Sequence, residues 1–171
     1  NKDPQVKIIK FKKNYGQSFA LDAGFKNAEG EIIISMDADL QNDPQDIPRL
    51  LEELKDADVV CGWRRKRQDP VLKKISSLVA NSIRRFVLKD KFLDIGCTLR
   101  AYRKESLEKI KLFNGLHRFL PILIEWEGFK VKQIEVRHHF RFSGKSKYSF
   151  SKRLLKPFID LLVVCLLYTS D

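Results

Sequence analysis

Ile32, Ile33, Ile34 and Met36 form a nearly continuous apolar run within Glu31 to Asp37, the pattern of a strand covered on both faces. Before it, Val6 to Phe11 alternates weakly, as a strand would. The turn residues Asn14-Tyr15-Gly16 follow, and then a helix-like stretch from Gln17 to Asn27 closed by Glu29-Gly30. Asp43-Pro44-Gln45-Asp46 reads as a helix start, with Asp43 as N-cap, Pro44 at the first helical position and Asp46 in the first turn. That helix is expected to run to about Lys55, and Asp58 to Trp63 to form the next short strand. Strand, helix, strand, helix, strand in this order implies an α/β fold with right-handed crossovers and a parallel sheet.

Residues 71 to 89 predict an amphipathic helix. At ~100° per residue, Leu72, Ile75, Leu78, Val79, Ile83, Phe86 and Val87 fall on one side, and Lys73, Lys74, Ser77, Asn81, Arg84 and Arg85 on the other. Periodicity alone favours a core helix with a solvated charged face. The nearly pure cationic character of the polar side, with Ser77 and Asn81 between the charges, also suits a phosphate or a membrane surface. Further on, Phe129 to Phe142 reads as a strand, with Ile134, Val136, His138, Phe140 and Phe142 on one face and Glu135, Arg137, His139 and Arg141 on the other. Gln133 breaks the earlier phase, which predicts a bulge there. His138 and His139 then point to opposite sides and do not share a metal. His138 and His117 both read as satisfied, partly buried residues.

Charge changes this picture by its distribution. The net charge is +11 over 171 residues, yet residues 1–62 hold 8 basic and 12 acidic groups, whereas residues 63–89 hold 9 basic groups and 1 acid. An acidic first part beside a basic middle suits a protein that handles a metal on one side and an anionic surface or phosphate on the other. The 43% apolar content excludes a disordered tail or a multi-pass membrane protein. Few aromatics stand among the basic residues and no nucleic-acid motif is present, so nucleic acid is not an expected partner. Cys61, Cys97 and Cys165 fit neither a disulfide framework nor a paired-cysteine zinc site, and read as reduced thiols of a cytosol-facing protein. The apolar run Pro157 to Tyr168 contains Asp160 and is shorter than the ~20 residues that span a bilayer.

The candidate chemistry begins at Asp37-Ala38-Asp39-Leu40-Gln41, just past the carboxyl end of the apolar strand, where open α/β sheets bind ligands. Carboxylates at i and i+2 in extended backbone can face one way, and Gln41 adds a third oxygen. Hard divalent ions such as Mg²⁺ or Mn²⁺ take such ligands and keep positions open for substrate phosphates. Acidic pairs more often cap helices or face water, but Asp43 and Asp46 already account for the cap.

Together these residues resemble a family. Asn14-Tyr15-Gly16-Gln17, Ala20-Leu21, Ala23-Gly24 and Asp37-Ala38-Asp39-Leu40-Gln41 are similar to bacterial family 2 glycosyltransferases of the polyprenyl-phosphate type. The similarity continues through Gly62-Trp63-Arg64, the segment Asp94 to Arg103, His117 to Pro121 and Gly144 to Tyr148, and so covers nearly the whole chain in order. Relatives of this type include dolichol-phosphate mannose synthase and undecaprenyl-phosphate aminoarabinose transferases. The resemblance implies a GT-A type, Rossmann-like nucleotide-sugar domain with a mostly parallel sheet. Residues 1–149 would be part of that domain and 150–171 the start of an amphipathic or membrane-associated helix. The resemblance also leads one to expect further strand sequence before Asn1 and membrane helices after the region of Asp160, and to expect no turnover from the 171 residues alone. The final CLLYTSD resembles a translated adapter remnant.

Carried over residue by residue, the resemblance places the metal at Asp37, Asp39 and Gln41, with Asp39 the foremost ligand. It puts Asn14, Gln17, Arg64, Lys74 and Ser77 at the substrates, Arg64 near the acceptor phosphate and Lys74 and Ser77 on the acceptor helix. Arg141, Ser146 and Lys147 fall in a loop that closes over phosphates, where Phe140 and Phe142 depart from the proline and arginine the family pattern leads one to expect. Asp94 is the candidate for orienting the acceptor or taking residual proton density, although some relatives carry an acid at the position of Cys97. The implied reaction is inverting, Mg²⁺- or Mn²⁺-dependent sugar transfer from a nucleotide-diphosphate sugar to a polyprenyl phosphate, at the cytoplasmic face of an anionic membrane; a homo-oligomer is compatible with it. Two other classes compete: a non-catalytic membrane-surface module, which predicts no metal dependence, and a nucleic-acid binder, which predicts steep salt dependence.

Overall fold

The computed structural model describes residues 3–65, 71–112, 115–140 and 159–166, with side chains omitted for 71–76. Lys74, Arg141, Ser146 and Lys147 therefore lie outside the described side chains. The chain runs α1 (Gln17–Asn27), β1 (Ile32–Ser35), a short 3₁₀ turn (Pro44–Asp46), α2 (Ile47–Glu53), β2 (Val59–Trp63), α3 (Val71–Leu88), β3 (Arg100–Arg103), α4 (Glu105–Glu108), a second 3₁₀ turn (Leu116–Arg118), α5 (Leu120–Trp126) and β4 (Val131–Glu135). Residues 159–166 are also helical.

The strands form one sheet in the order β1-β3-β2-β4. β4 runs parallel to β2 from Val59↔Val131 to Trp63↔Glu135, while β3 is antiparallel to both β1 and β2. Three of the four strands thus point the same way, as the element order requires. The expectation of a parallel sheet holds for these three and is corrected by β3, which inserts antiparallel between β1 and β2 and makes the sheet mixed.

Alternation along the two inner strands separates two cores. Val59, Cys61 and Tyr102 face a cluster with Phe92, Leu116, Leu120, Ile122 and Leu123, whereas Val60 and Ala101 face Leu50, Leu54, Cys97 and Leu99. Leu161 and Val164 of the 159–166 helix close the first cluster. Both inner strands are buried on two faces, and that accounts for the unbroken apolar run of β2. β1 is different: Ile32 is 44% exposed, so the prediction of two covered faces fails there.

Other expectations are corrected in the same way. Val6 to Phe11 joins no ladder among the described residues, and Val6, Ile8 and Ile9 are exposed. No bulge occurs at Gln133, which stays in register opposite Cys61. The predicted 129–142 strand stops at Glu135, and the chain leaves β2 to bridge Asn42 through His138. The α2 cap is as expected, with Asp43 accepting from the Gln45 N–H, but the first turn is 3₁₀ and the helix ends at Glu53.

The largest correction concerns α3. Its apolar stripe points outward, with Leu78 66% and Phe86 86% exposed, and its polar stripe points inward, with Arg84 3% exposed. Arg84 donates to both oxygens of Asp90 (2.8 and 3.0 Å), to Asn81 Oδ1 (2.8 Å) and to the Phe92 carbonyl. Lys89, in the left-handed region at φ 51°, turns the chain back after the helix so that Asp90 reaches Arg84. A guanidinium with this many fixed acceptors is stable out of water, so the ion pair decides which face of α3 packs.

Candidate active site

β1 delivers Asp37 and Asp39 just beyond its carboxyl end. Leu40, with φ 62°, turns the loop so that Asp39 Oδ1 accepts from the Gln41 N–H at 3.2 Å. Gln17, in the first turn of α1, donates from Nε2 to Asp37 Oδ1 at 3.2 Å. Thr98 donates its hydroxyl proton to Asp37 while accepting from Asn42 Nδ2 at 3.1 Å. Burial pushes the Asp37 carboxyl above its ordinary value; Asp39 adds to the rise, and Thr98, Arg64 and Arg100 oppose it. Asn14, predicted at the substrates, uses Oδ1 to accept from the Gly16 N–H at 2.8 Å and so fixes the turn that starts α1.

A strap after β4 holds the acidic loop from outside. His139 N–H donates to the Gln41 carbonyl at 2.9 Å, and Gln41 Nε2 returns a bond to the His139 carbonyl at 3.3 Å. Arg137 pairs with Asp43 (3.1 Å) and Asp46 (3.2 Å). Gln41 is thus tied to the strap through both its main-chain carbonyl and its side-chain Nε2.

Arg64 and Asp94 meet in a two-pronged ion pair: Nε to Oδ2 at 2.7 Å and Nη2 to Oδ1 at 3.0 Å, with side chains 15% and 7% exposed. Asp94 also accepts from the Gly96 N–H at 2.9 Å. A Cβ on residue 96 would lie 2.9 Å from Arg64 Nη2, so glycine is needed for this approach. Buried Arg100 ties the surrounding loops together, donating to the carbonyls of Cys97 (2.8 Å), Ile95 (2.5 Å) and His117 (3.1 Å). Cys97 is fully buried, and burial raises its thiol pKa, so it is no nucleophile; burial pushes Cys61 up to about 12.

A cavity of about 140 Å³ brings Gln17, Asp37, Gly96, Thr98, His117 and Arg118 to one mouth. Gln17 and Asp37 thus meet at the cavity, and the Arg64–Asp94 pair lies beside it at Gly96. The structure adds His117, which from sequence reads as a satisfied, partly buried residue, and Arg118; the signal available was that both lie within the His117 to Pro121 motif. Ser77 sits half-buried on α3. Among the described residues no cluster of three or more His, Cys, Asp or Glu side chains is arranged to hold a metal. Asp37 and Asp39 nevertheless fit a hard divalent ion: the donors are carboxylate oxygens, and a cation would relieve the burial and mutual repulsion that lift Asp37.

Residues 1–111 match the model of glycosyl transferase family 2. The chain is 38% identical over 164 residues to a dodecaprenyl-phosphate galacturonate synthase from Rhizobium johnstonii, covering 93% of this chain and 48% of the relative. It is 41% identical over 170 residues to an undecaprenyl-phosphate 4-deoxy-4-formamido-L-arabinose transferase from Pectobacterium atrosepticum, covering 98% and 51%. The chain thus spans about half the length of the curated relatives it matches. Among solved structures, glucosyl-3-phosphoglycerate synthase from Mycobacterium tuberculosis in complex with Mn²⁺, uridine-diphosphate-glucose and phosphoglyceric acid superposes with a TM-score of 0.65 at 17% identity, covering 98% of this chain and 59% of that one. That likeness shows the fold, the GT-A glycosyltransferase arrangement of a mixed sheet flanked by helices. With the family model matched over most of the chain and the fold agreeing, the chain belongs to glycosyl transferase family 2.

Proposed function

We propose that the protein bearing this chain transfers a sugar, with inversion, from a nucleotide-diphosphate sugar to a polyprenyl phosphate at the cytoplasmic face of a membrane. The observation that carries this reading is the placement of Asp37 on the cavity wall with Asp39 and Arg64 close enough to act on its charge: a candidate metal site beside a candidate phosphate-binding cation. Polyprenyl-phosphate chemistry in the names of the relatives supports the acceptor, and Mn²⁺ with uridine-diphosphate-glucose in the fold neighbour supports the donor and a divalent ion, Mg²⁺ or Mn²⁺. The names differ on the sugar, one carrying a galacturonate and the other a formamido-arabinose.

Asp37 and Asp39, with Gln41 Oε1, would hold the ion, which when bound neutralises charge on the leaving diphosphate. The acceptor phosphate is already mostly ionised at pH 7, since a monoester's second pKa is ≈ 6, so no strong base is needed. Asp94 fits that economy. Both of its oxygens are occupied by Arg64, and Gly96 adds a further bond, which makes it a positioning residue that aims the guanidinium at the phosphate.

The outward apolar stripe of α3 supports the membrane location. Exposed Leu78, Val79, Ile83, Phe86 and Val87 suit burial among lipid chains rather than the electrostatic contact its cations suggest. Among the described residues no helix is long and apolar enough to cross a membrane. The test is transfer of labelled sugar to undecaprenyl phosphate by the full-length protein, with and without chelator. Transfer unaffected by chelation overturns the metal site. Vesicle binding without transfer to any polyprenyl phosphate favours the non-catalytic membrane module.

A further inference from the structure

Gln133 is a polar side chain where the strand pattern calls for an apolar one. β4 runs beside β2 with Val131 opposite Val59 and Gln133 opposite Cys61, so these four residues share one face of the sheet. Val59, Cys61 and Val131 belong to the first core cluster, whereas Val136, with Ile134 against it, belongs to the second. Gln133 thus interrupts the apolar phase of the strand, and it does so in register, without a bulge. A half-buried carboxamide at the edge of a core needs partners for both of its ends.

Both partners lie on one short piece of backbone. Gln133 Oε1 accepts from the Leu93 N–H at 2.7 Å, and Nε2 donates to the Asp94 carbonyl at 2.9 Å. Because Leu93 offers a donor and Asp94 an acceptor, the amide fits in one orientation only. The clamped residue is the one whose carboxylate takes both prongs of Arg64 and also accepts from the Arg64 N–H at 3.3 Å. Arg84 grips the same segment at the Phe92 carbonyl and Arg100 at the Ile95 carbonyl. Those bonds hold the neighbours, and Gln133 holds the backbone of Asp94 itself.

We propose that Gln133 is a positioning residue for the acceptor phosphate, holding the Asp94 backbone so that its carboxylate aims the Arg64 guanidinium. The inference rests on the glycosyltransferase reading and extends it to a residue that acts through Asp94 and Arg64. A two-pronged guanidinium–carboxylate pair is directional, so a carboxylate that shifts turns the guanidinium with it. Arg64 follows β2 directly and Gln133 stands on the adjacent β4, which anchors both ends of the arrangement in the sheet. That support gives the amide on the core face its use.

Calorimetric binding of farnesyl phosphate, a soluble acceptor, to the full-length protein tests the clamp, and the Mn²⁺-dependent rise in melting temperature reports separately on the metal site. Gln133→Met keeps the length of the side chain and loses both bonds; it should weaken farnesyl phosphate about tenfold and leave the Mn²⁺ response unchanged. Gln133→Glu keeps the acceptor for Leu93 without the donor for Asp94, and should lose less. In Arg64→Met protein, adding Gln133→Met should cost no further affinity, because the clamp works through the guanidinium. Parent-like affinity in Gln133→Met overturns the proposal. So does a loss that recurs in full on the Arg64→Met background, or one that takes the Mn²⁺ response with it, since either marks a general structural role. Should Gln133→Met fail to fold, Gln133→Glu is put through the same comparison with the same outcomes deciding. An unaltered protein that binds no farnesyl phosphate overturns the acceptor in the glycosyltransferase reading itself, and the clamp's role with it.

Discussion

At the scale of single residues, the acidic loop carries a measurable conflict. Asp37 holds its proton more tightly folded than unfolded, because burial and Asp39 both disfavour its charge. Stability from this source therefore falls as pH rises from the ordinary value, ~3.9, through the raised folded value, and stays lower above it. Asp37→Asn should melt at a higher temperature than the parent at pH 7 without metal, and the difference should vanish near pH 3. Scanning calorimetry at both pH values checks it; a variant less stable at pH 7 would mean that the bonds from Gln17 and Thr98 outweigh the repulsion. A second prediction concerns Gly96. The Cβ of Gly96→Ala meets Arg64 Nη2 at 2.9 Å and Asp94 Oδ1 at 3.4 Å, so the ion pair must shift. Overpacking of this kind costs about 1–3 kcal/mol, readable as a lower denaturation midpoint, and transfer should fall with it if Asp94 aims Arg64. Full stability and full transfer together would remove the positioning role.

At the scale of elements, α3 shows how a correct wheel can be assigned to the wrong side. The stripe is apolar, as the periodicity says, but Arg84 is buried against Asp90 and the stripe is left outside. Replacing Leu78 and Phe86 together by Asp should abolish co-sedimentation with anionic vesicles while leaving the thermal midpoint nearly unchanged, since neither side chain packs against the core. Binding by the unaltered protein should persist in part at high salt, because apolar insertion is not screened as surface charge is. Salt-labile binding that survives the double substitution but is lost in Lys74→Ala/Arg85→Ala would return the contact to electrostatics.

At the scale of the whole molecule, four separate chain regions meet at the cavity: the start of α1, the loop after β1, the loop before β3 and the turn before α5. A metal and nucleotide bound there should link these regions and stabilise the folded state by mass action, about 2.7 kcal/mol at a hundredfold excess over Kd. In the full-length protein, Asp39→Asn should abolish transfer and also the Mn²⁺-dependent rise in melting temperature, with the metal-free midpoint nearly unchanged. Transfer at the parent's rate by that variant would sink the metal assignment.

Local rules were enough for much of this protein. α1 spans the predicted Gln17 to Asn27, Asp43 caps the next helix, and the apolar runs of β1 and β2 lie within one residue or a few of their expected bounds, because capping and turn chemistry act over a few positions. The Asp37–Asp39 motif was legible for the same reason. What no local pattern contains is the partner across space. The insertion of antiparallel β3 between β1 and β2, the loss of a ladder at Val6 to Phe11, and the outward turn of α3 each depend on which distant group satisfies a backbone or a buried charge. His117 and Arg118 belong to that second kind. In sequence they are a lone histidine and a lone arginine; only folding places Ser18, 99 residues from His117, within hydrogen-bond distance of the ring.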